Sequence, residues 1–143
     1  MKLTKLIVRI AVSAAVALVV LLATWQVGRA GFASLLSTYA SKSNKMAAAQ
    51  AALRLSPNDP EIHYVRGAIF EANGDLAAAV EEYTQAARLR ADDYVLWLAL
   101  ARTRELTGNT ADALAAATQA VALAPHYAQP HWQAICRHIA SRL

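Results

Sequence analysis

The side chains that could bind a metal ion are four histidines and a single cysteine: His63, His126, His131, His138 and Cys136. His131 and His138 lie seven residues apart and share a face if the segment is helical, whereas Cys136 lies five and two residues from them, off that face. Zinc needs several ligands that converge on one point. We therefore expect no metal site and, with one cysteine, no internal disulfide.

Paired carboxylates are the other potential source of chemistry. Glu81-Glu82 and Asp92-Asp93 could supply general acid–base groups, but neighbouring helix residues point apart and no nucleophile accompanies them. The sequence also contains no Gly-rich phosphate loop, no GxSxG and no HExxH. We interpret these carboxylates as solvated faces and expect no catalytic residue, no cofactor and no small-molecule substrate.

The charge distribution argues against a nucleic-acid partner. The chain of 143 residues has a net charge of +4, but its basic residues lie mainly near the two ends. Between Pro60 and Tyr127 there are five basic and nine acidic residues, a net charge of −4, which would repel phosphates. The 34 alanines and the 57% of hydrophobic residues predict an all-α fold with a core.

Residues 1–28 predict a transmembrane anchor. Leu6 to Val27 is an apolar run whose only charge is Arg9, and its 22 residues reach about 33 Å as a helix, enough for a hydrocarbon core of about 30 Å. Lys2, Lys5 and Arg9 precede this run, which predicts a cytoplasmic N-terminus. We expect a single-pass protein of a bacterial inner membrane whose remaining residues are periplasmic or extracytoplasmic. A cleaved secretory signal is the alternative, although the cleavage sites are poor.

The rest of the chain carries an internal repeat with a period of 34 residues. Pro60–Asp93 and Tyr94–Tyr127 are identical at eight of 34 aligned positions. The identical pairs are Glu71/Glu105, Gly74/Gly108, Ala77/Ala111, Ala79/Ala113, Thr84/Thr118, Gln85/Gln119, Ala86/Ala120 and Leu89/Leu123. A repeat of this length indicates a stacked array of similar units.

Each repeat predicts a helical hairpin. Pro60 can occupy the first turn of a helix because its missing N–H is not needed there. Gly74 and Gly108 can take the left-handed conformation that ends a helix, and Asp75 can cap the next helix. That next helix, Leu76 to Leu89, places small residues on one stripe, which lets two helices approach closely.

This pattern resembles the tetratricopeptide repeat (TPR) family. The matching positions are Gly67, Phe70, Gly74, Asp75, Ala79, Tyr83 and Ala86 in the first repeat and Trp97, Leu100, Gly108, Ala113, Ala120 and Pro125 in the second. Arg66, Arg104 and Ala117 depart from the family pattern. His63 and His131 occupy the slot that holds Trp97 in the middle unit, and we interpret both as packing residues.

The apolar run and the resemblance together divide the chain into an anchor and a short α-solenoid. The units are 1–28 (anchor), 29–59 (degenerate repeat or linker helices), 60–93 and 94–127 (TPR-like repeats) and 128–143 (closing helix). In the degenerate unit, Ser41 to Asn44 predicts a break and a cap, and Met46 to Leu55 a second helix. Its first helix is either separate from the anchor or continuous with it. The closing helix, which includes Trp132 and Leu143, can cover the open end of the stack.

The resemblance also implies a concave groove lined by the first helix of each unit. On the family pattern, Glu61 lies at the start of the groove, and we expect the partner-binding residues to be Tyr64, Glu71, Leu98, Arg102, Glu105 and Trp132. Among them, Tyr64, Leu98 and Trp132 would form an apolar and aromatic ledge beside an arginine, a composition typical of binding hot spots. The alternative is that Tyr64 and Trp132 only cover neighbouring helices.

The resemblance, the apolar run and the lack of catalytic motifs together predict a non-enzymatic membrane-anchored adaptor. We expect it to bind a protein or peptide partner with apolar anchors in a bacterial envelope assembly. The alternative is a small structural subunit of a multi-subunit membrane complex, in which the anchor packs against other helices through Ser13, Ala14, Ala17 and Thr24. A third interpretation is that the chain is the front part of a longer repeat protein.

Overall fold

A computed structural model of the chain describes the backbone of residues 2–126 and 129–141 and the side chains of residues 12–126 and 129–141. Within these residues all regular structure is helical, as predicted. The helices are α1 (Lys2–Ser43), α2 (Met46–Leu55), α3 (Pro60–Ala72), α4 (Leu76–Leu89), α5 (Tyr94–Leu106), α6 (Thr110–Leu123) and α7 (Gln129–Ala140). Tyr127 and Leu143, assigned above to the second repeat and to the closing helix, lie outside the described residues, as do the side chains of residues 6–11 of the apolar run.

Helix α1 continues without a break from the apolar run into the first hairpin. The expected boundary between residues 28 and 29 falls inside this helix. The side chains from Val12 to Val27 are exposed, and the stretch Val12–Ser43 is long and apolar enough to cross a membrane. Beyond the apolar run, the 16 residues 28–43 extend a further 24 Å or so at about 1.5 Å per residue. One face of this extension, with Ala33, Ser37 and Ala40 buried, packs on α2 and α3.

The predicted break after α1 is present, but the predicted cap is wrong. Asn44 takes a left-handed φ of +52°, a conformation that asparagine tolerates better than most residues, and α2 begins at Met46 as expected. Lys45 occupies the N-cap position of α2, and its side chain makes no capping hydrogen bond. An ammonium group has no acceptor to offer the free N–H groups, so this helix start is uncapped by any side chain.

The two repeats form the predicted hairpins, and each of their four helices has a capped start. The capping oxygens and the N–H groups they accept from are Asp59 and Glu61 (3.0 Å), Asp75 and Ala78 (3.1 Å), Asp93 and Val95 (3.0 Å), and Asn109 and Asp112 (3.3 Å). Each such cap stabilises a helix by about 1 kcal/mol. Gly74 and Gly108 have φ of +82° and +79°, as expected for left-handed helix ends.

Small residues dominate the core between the helices. The largest buried cluster consists of Ala79, Tyr83, Leu100, Ala101, Ala113, Ala116, Ala117 and Ile139. These residues come from α4, α5, α6 and α7, so the second repeat packs on both its neighbours. The closing helix covers the end of the stack through Ile139, which is 1% exposed. The result is a continuous stack in which each hairpin packs on the next.

Candidate partner-binding surface

Helices α3 and α4 lie close together at Gly67. A Cβ at this position would lie 2.7 Å from two ring carbons of Tyr83, well inside the separation of about 3.5–4.0 Å that carbon atoms prefer. Tyr83 is 2% exposed, and its ring centroid lies 5.6 Å from that of Tyr64. The absence of a side chain at residue 67 therefore makes room for the Tyr83 ring, which in turn packs near Tyr64, a predicted groove residue.

Glu71 joins three helices through its carboxylate. The Tyr83 hydroxyl donates to one oxygen at 3.1 Å, and Arg102 of α5 donates to the other. Burial raises the pKa of Tyr83 and the adjacent Glu71 raises it further, so the hydroxyl remains a donor. The hydrogen bond to Glu71 raises the pKa of Arg102. Two predicted groove residues from different repeats thus form one ion pair.

The residues of the predicted ledge are partly buried. Tyr64 packs on α4, and the Trp132 ring centroid lies 6.4 Å from that of Tyr94. Leu98 and Glu105 are partly exposed on α5. The indole Nε1 of Trp132 is buried without a hydrogen-bond partner among the described residues. The two rings cover neighbouring helices and still leave part of their surface accessible, so a role in binding stays a prediction.

A charged cluster that the sequence analysis missed lies between α3 and α4. The Glu82 carboxylate accepts from Arg66 at 2.8 Å and lies 2.9 Å from Nδ1 of His63, and these side chains are only 12–15% exposed. Nε2 of His63 lies 3.1 Å from the carbonyl oxygen of Pro57. Because both ring nitrogens face acceptors, both bonds form only when the ring is an imidazolium. The hydrogen bond with Glu82 raises the pKa of His63, against the opposing effect of burial.

The expectation of a solvated face for Glu82 is therefore wrong, and His63 packs as expected but through two polar contacts. His63 and Trp97 occupy equivalent positions in the two repeats, and each places a ring nitrogen against the backbone carbonyl six residues earlier. Trp97 Nε1 donates to the Ala91 carbonyl at 2.8 Å, as His63 Nε2 does to that of Pro57. A position-by-position comparison of the repeats could have revealed the cluster. At the same register, His63, Arg66 and Glu82 are replaced by Trp97, Leu100 and Ala116.

A cleft of about 270 Å³ opens between α1 and α3. Its lining residues are Ser34, Ser37, Thr38, Ser41, Lys42, Asp59, Glu61, Ile62 and Val65. Glu61 was expected at the start of the groove, whereas the hydroxyl residues of α1 were not predicted. Their spacing of three and four residues was the available signal, because it places them on one helix face. This cleft, which we call the α1–α3 cleft, extends the candidate surface onto the end of α1.

The described surface offers little reactive chemistry. Among residues 12–126 and 129–141, no group of three or more histidine, cysteine or acidic side chains is placed to hold a metal ion. Cys136 is half-buried on α7, and burial raises its pKa, which keeps the thiol protonated and weakly nucleophilic. What the surface offers instead is shape, hydrogen-bonding groups and apolar contact.

Comparisons with known proteins agree with this architecture. The family model of the tetratricopeptide repeat matches residues 60–93. The type III secretion translocator chaperone SycD of Yersinia enterocolitica is similar in structure, with a TM-score of 0.67 and 19% identity over 78% of this chain and 83% of that chain. SycD in complex with a peptide of the translocator YopD gives a TM-score of 0.60 and 22% identity over 79% and 87% of the two chains. The Arabidopsis OM64 TPR domain gives a TM-score of 0.65 and 16% identity over 77% of this chain and 98% of that chain. No curated protein matches the chain.

These findings define the class of protein. Residues 60–93 match the tetratricopeptide repeat model and lie within an all-α stack of TPR-like helical hairpins, which one long apolar helix precedes. The SycD chaperone and the OM64 TPR domain share this fold. The identities of 16–22% to the solved structures extend this likeness to the fold alone.

Proposed function

We propose that this protein is a membrane-anchored adaptor that binds a protein or peptide partner in the concave groove of its hairpin stack. The observation that carries the proposal is the continuity of α1, which runs from the exposed apolar run into the first hairpin. A helix without a break transmits a fixed orientation, so the groove would face the same way relative to the bilayer in every copy. Such an arrangement suits a scaffold that holds a partner beside a membrane.

The composition of the groove supports a partner with apolar anchor residues. Tyr64, Leu98 and Trp132 each leave part of an apolar side chain accessible, and the Glu71–Arg102 pair adds polar contacts beside them. Partly exposed aromatic residues near an arginine are typical of binding hot spots. SycD, whose hairpin array is similar, is known in complex with a translocator peptide, which supports a peptide as the ligand class.

We also propose a topology with the N-terminus in the cytoplasm and the hairpins on the periplasmic side of a bacterial inner membrane, within an envelope assembly. Lys2, Lys5 and Arg9 support this orientation. Protease added to intact spheroplasts should remove a tag placed after the last residue, and a protected tag would reverse the topology. Mass spectrometry of the membrane-extracted chain should find Met1 or Lys2 at its start. A shorter chain would favour the cleaved signal.

Capture of partners from detergent-solubilised membranes tests the binding role. The full chain should retain partner proteins that a Tyr64→Ala/Trp132→Ala variant loses, with the helix content of the variant unchanged by circular dichroism. Leu89→Ala is a matched control, because Leu89 is apolar and 42% exposed but lies at the end of α4, away from the first helices that line the groove. Equal capture by the wild type and the double variant would count against the groove.

A second candidate function is supported by the surface of α1 beyond the apolar run. Phe32, Leu35 and Tyr39 are 57%, 69% and 50% exposed on a face directed away from α2 and α3. Exposed apolar groups at this spacing suit packing against another helix. This favours a small structural subunit of a membrane complex. Replacing residues 6–27 with an unrelated apolar helix distinguishes the two, because an adaptor would still capture its partner whereas a subunit would be lost from its complex.

A further inference from the structure

The α1–α3 cleft has a polar wall and an apolar floor. Hydroxyl side chains from α1 (Ser34, Ser37, Thr38 and Ser41) form one wall, and the start of α3 forms the other. Ile62 and Val65 contribute apolar surface between the two walls. An occupant that fits this lining combines hydrogen-bonding groups with an aliphatic portion.

The polar wall of the cleft contains a buried hydroxyl, that of Ser37, with an unused hydrogen-bonding capacity. The residue is 3% exposed and lines the cleft, yet its Oγ has no hydrogen-bond partner among the described residues. By contrast, Thr38 on the same helix satisfies its hydroxyl by donating to the Ser34 carbonyl at 2.9 Å. A buried polar group without a partner is unfavourable. A ligand that bonds to the Ser37 hydroxyl would remove that penalty.

The charges of the cleft indicate the sign of this ligand. Asp59 and Glu61 contribute two carboxylates, and Lys42 is the single cation of the lining, so the net charge is −1. Lys42 is exposed on a flexible stem and can move its ammonium group into solvent. Asp59 Oδ1 already accepts the N–H of Glu61 at 3.0 Å, which leaves its second oxygen and the Glu61 carboxylate for a donor.

We propose that the α1–α3 cleft binds a lysine or arginine side chain of the partner segment that occupies the groove. The cationic head would donate to Glu61, Asp59 and the Ser37 hydroxyl, and its methylene stem would lie on Ile62 and Val65. Arginine and lysine fit because their heads carry only donors, and the cleft presents acceptors on both walls. The inference rests on the proposed function, since the basic residue belongs to a bound peptide, and it predicts that the partner combines a basic residue with apolar anchors.

Selection from a random library tests the inference without knowledge of the natural partner. The full chain in nonionic detergent, immobilised through a C-terminal tag, is used to select a phage-displayed random dodecapeptide library. The same selection is made with Ser37→Ala and Glu61→Gln. Glu81→Gln is the matched control, because Glu81 is an exposed carboxylate on α4 outside the cleft. We expect the wild type and the control to enrich peptides with an arginine or lysine beside apolar residues, and the two cleft variants to retain only the apolar preference.

A synthetic peptide from the selection then measures the contribution of the charge. Replacing its basic residue with citrulline, the neutral analogue of arginine, should weaken binding to the wild type about tenfold or more, since hydrogen bonds to charged groups are the stronger ones. The same replacement should change binding to Glu61→Gln less than threefold. Apolar peptides selected without any basic preference would overturn this inference and leave the proposed function standing. If the wild type selects no peptide above background, both this inference and the proposed function are refuted.

Discussion

The two repeats build the same hairpin with different side chains at the same register. In the first repeat, Gly67 receives the ring of Tyr83, whose carbons lie where a Cβ would be. In the second repeat, the corresponding residues are Ala101 and Ala117, which are 1% and 2% exposed. Where no ring is present, no glycine is needed. The departure of Ala117 from the family pattern is thus matched by Ala101, which stands where the first repeat has Gly67.

A second difference concerns charge. The first repeat holds the partly buried cluster of His63, Arg66 and Glu82, and the second replaces it with Trp97, Leu100 and Ala116. The unusual Arg66 therefore has a physical reason, which is the carboxylate of Glu82. The residues at these positions differ as complementary sets, because an ion cluster and apolar packing are alternative ways to fill one site. Exchange of whole sets should be tolerated, whereas exchange of single members should not.

Tyr83→Ala should have the largest effect among the single substitutions. It removes a buried ring and the hydroxyl that donates to Glu71, and truncation of a large buried aromatic residue destabilises by about 3–5 kcal/mol. Urea unfolding of the full chain in nonionic detergent, followed by circular dichroism, measures the change. Destabilisation below about 1 kcal/mol would show that the ring does not hold α3 against α4.

Glu82→Ala should have the next largest effect, a destabilisation of about 2–3 kcal/mol. It leaves His63 and Arg66 partly buried without their counter-ion, and the residual exposure of 12–15% reduces the penalty from that of a fully buried pair. The triple variant His63→Trp/Arg66→Leu/Glu82→Ala installs the residues of the second repeat and should unfold within about 1 kcal/mol of the wild type. A triple variant that is less stable than Glu82→Ala would refute the exchange of sets.

The effect of Gly67→Ala on stability should change sign with the residue at position 83. In the wild type the added methyl group meets the Tyr83 ring, and overpacking outweighs the better helix propensity of alanine, for a net destabilisation of about 1–2 kcal/mol. In a Tyr83→Ala background the same change reproduces the pair of the second repeat and should stabilise by about 1 kcal/mol. A double-mutant cycle from urea unfolding measures this coupling. Equal effects in both backgrounds would mean that the two positions are independent.

The first repeat should also respond to pH through His63. Its pKa in the folded chain is raised above the ordinary 6.5, so its stabilising contribution is complete below that value and is lost as the pH rises through the folded pKa. Hydrogen exchange of α3 and α4 should therefore accelerate relative to α5 and α6 as the pH increases from 6 to 9, after correction for intrinsic rates. His63→Trp should abolish the difference. If hydrogen exchange in the two repeats of the wild type depends on pH in the same way, His63 is not an imidazolium in the folded chain.

Arg102→Ala should have the smallest effect on stability. Its side chain is 67% exposed, so loss of its ion pair with Glu71 should destabilise by only about 0.5–1 kcal/mol. Arg102→Lys keeps the charge and should lie closer to the wild type. If Arg102→Ala reduces partner capture more than this change in stability explains, the residue contacts the partner in addition to connecting the repeats.

The local structure was largely predictable because its determinants are close in sequence. Pro60, Gly74 and Asp75 set helix starts and ends through their own backbone chemistry, and the bounds of α2 and α4 followed from the repeat. The sequence left open whether α1 is continuous, and the structure shows that the helix runs across residues 28 and 29. The cap before α2 was mispredicted, because the chain leaves the helix at Asn44 and places Lys45 in the capping position.

The sequence by itself determined the all-α fold, the 34-residue period and the apolar run, since each is a property of residues read along one chain. Only the tertiary structure decided which side chains meet: Arg102 with Glu71, His63 and Arg66 with Glu82, and the hydroxyls of α1 with the start of α3. The period states where a residue lies on its own helix. Contact with another helix depends on the distance and rotation between the two, and these follow from the packing of residues such as Gly67 and Tyr83.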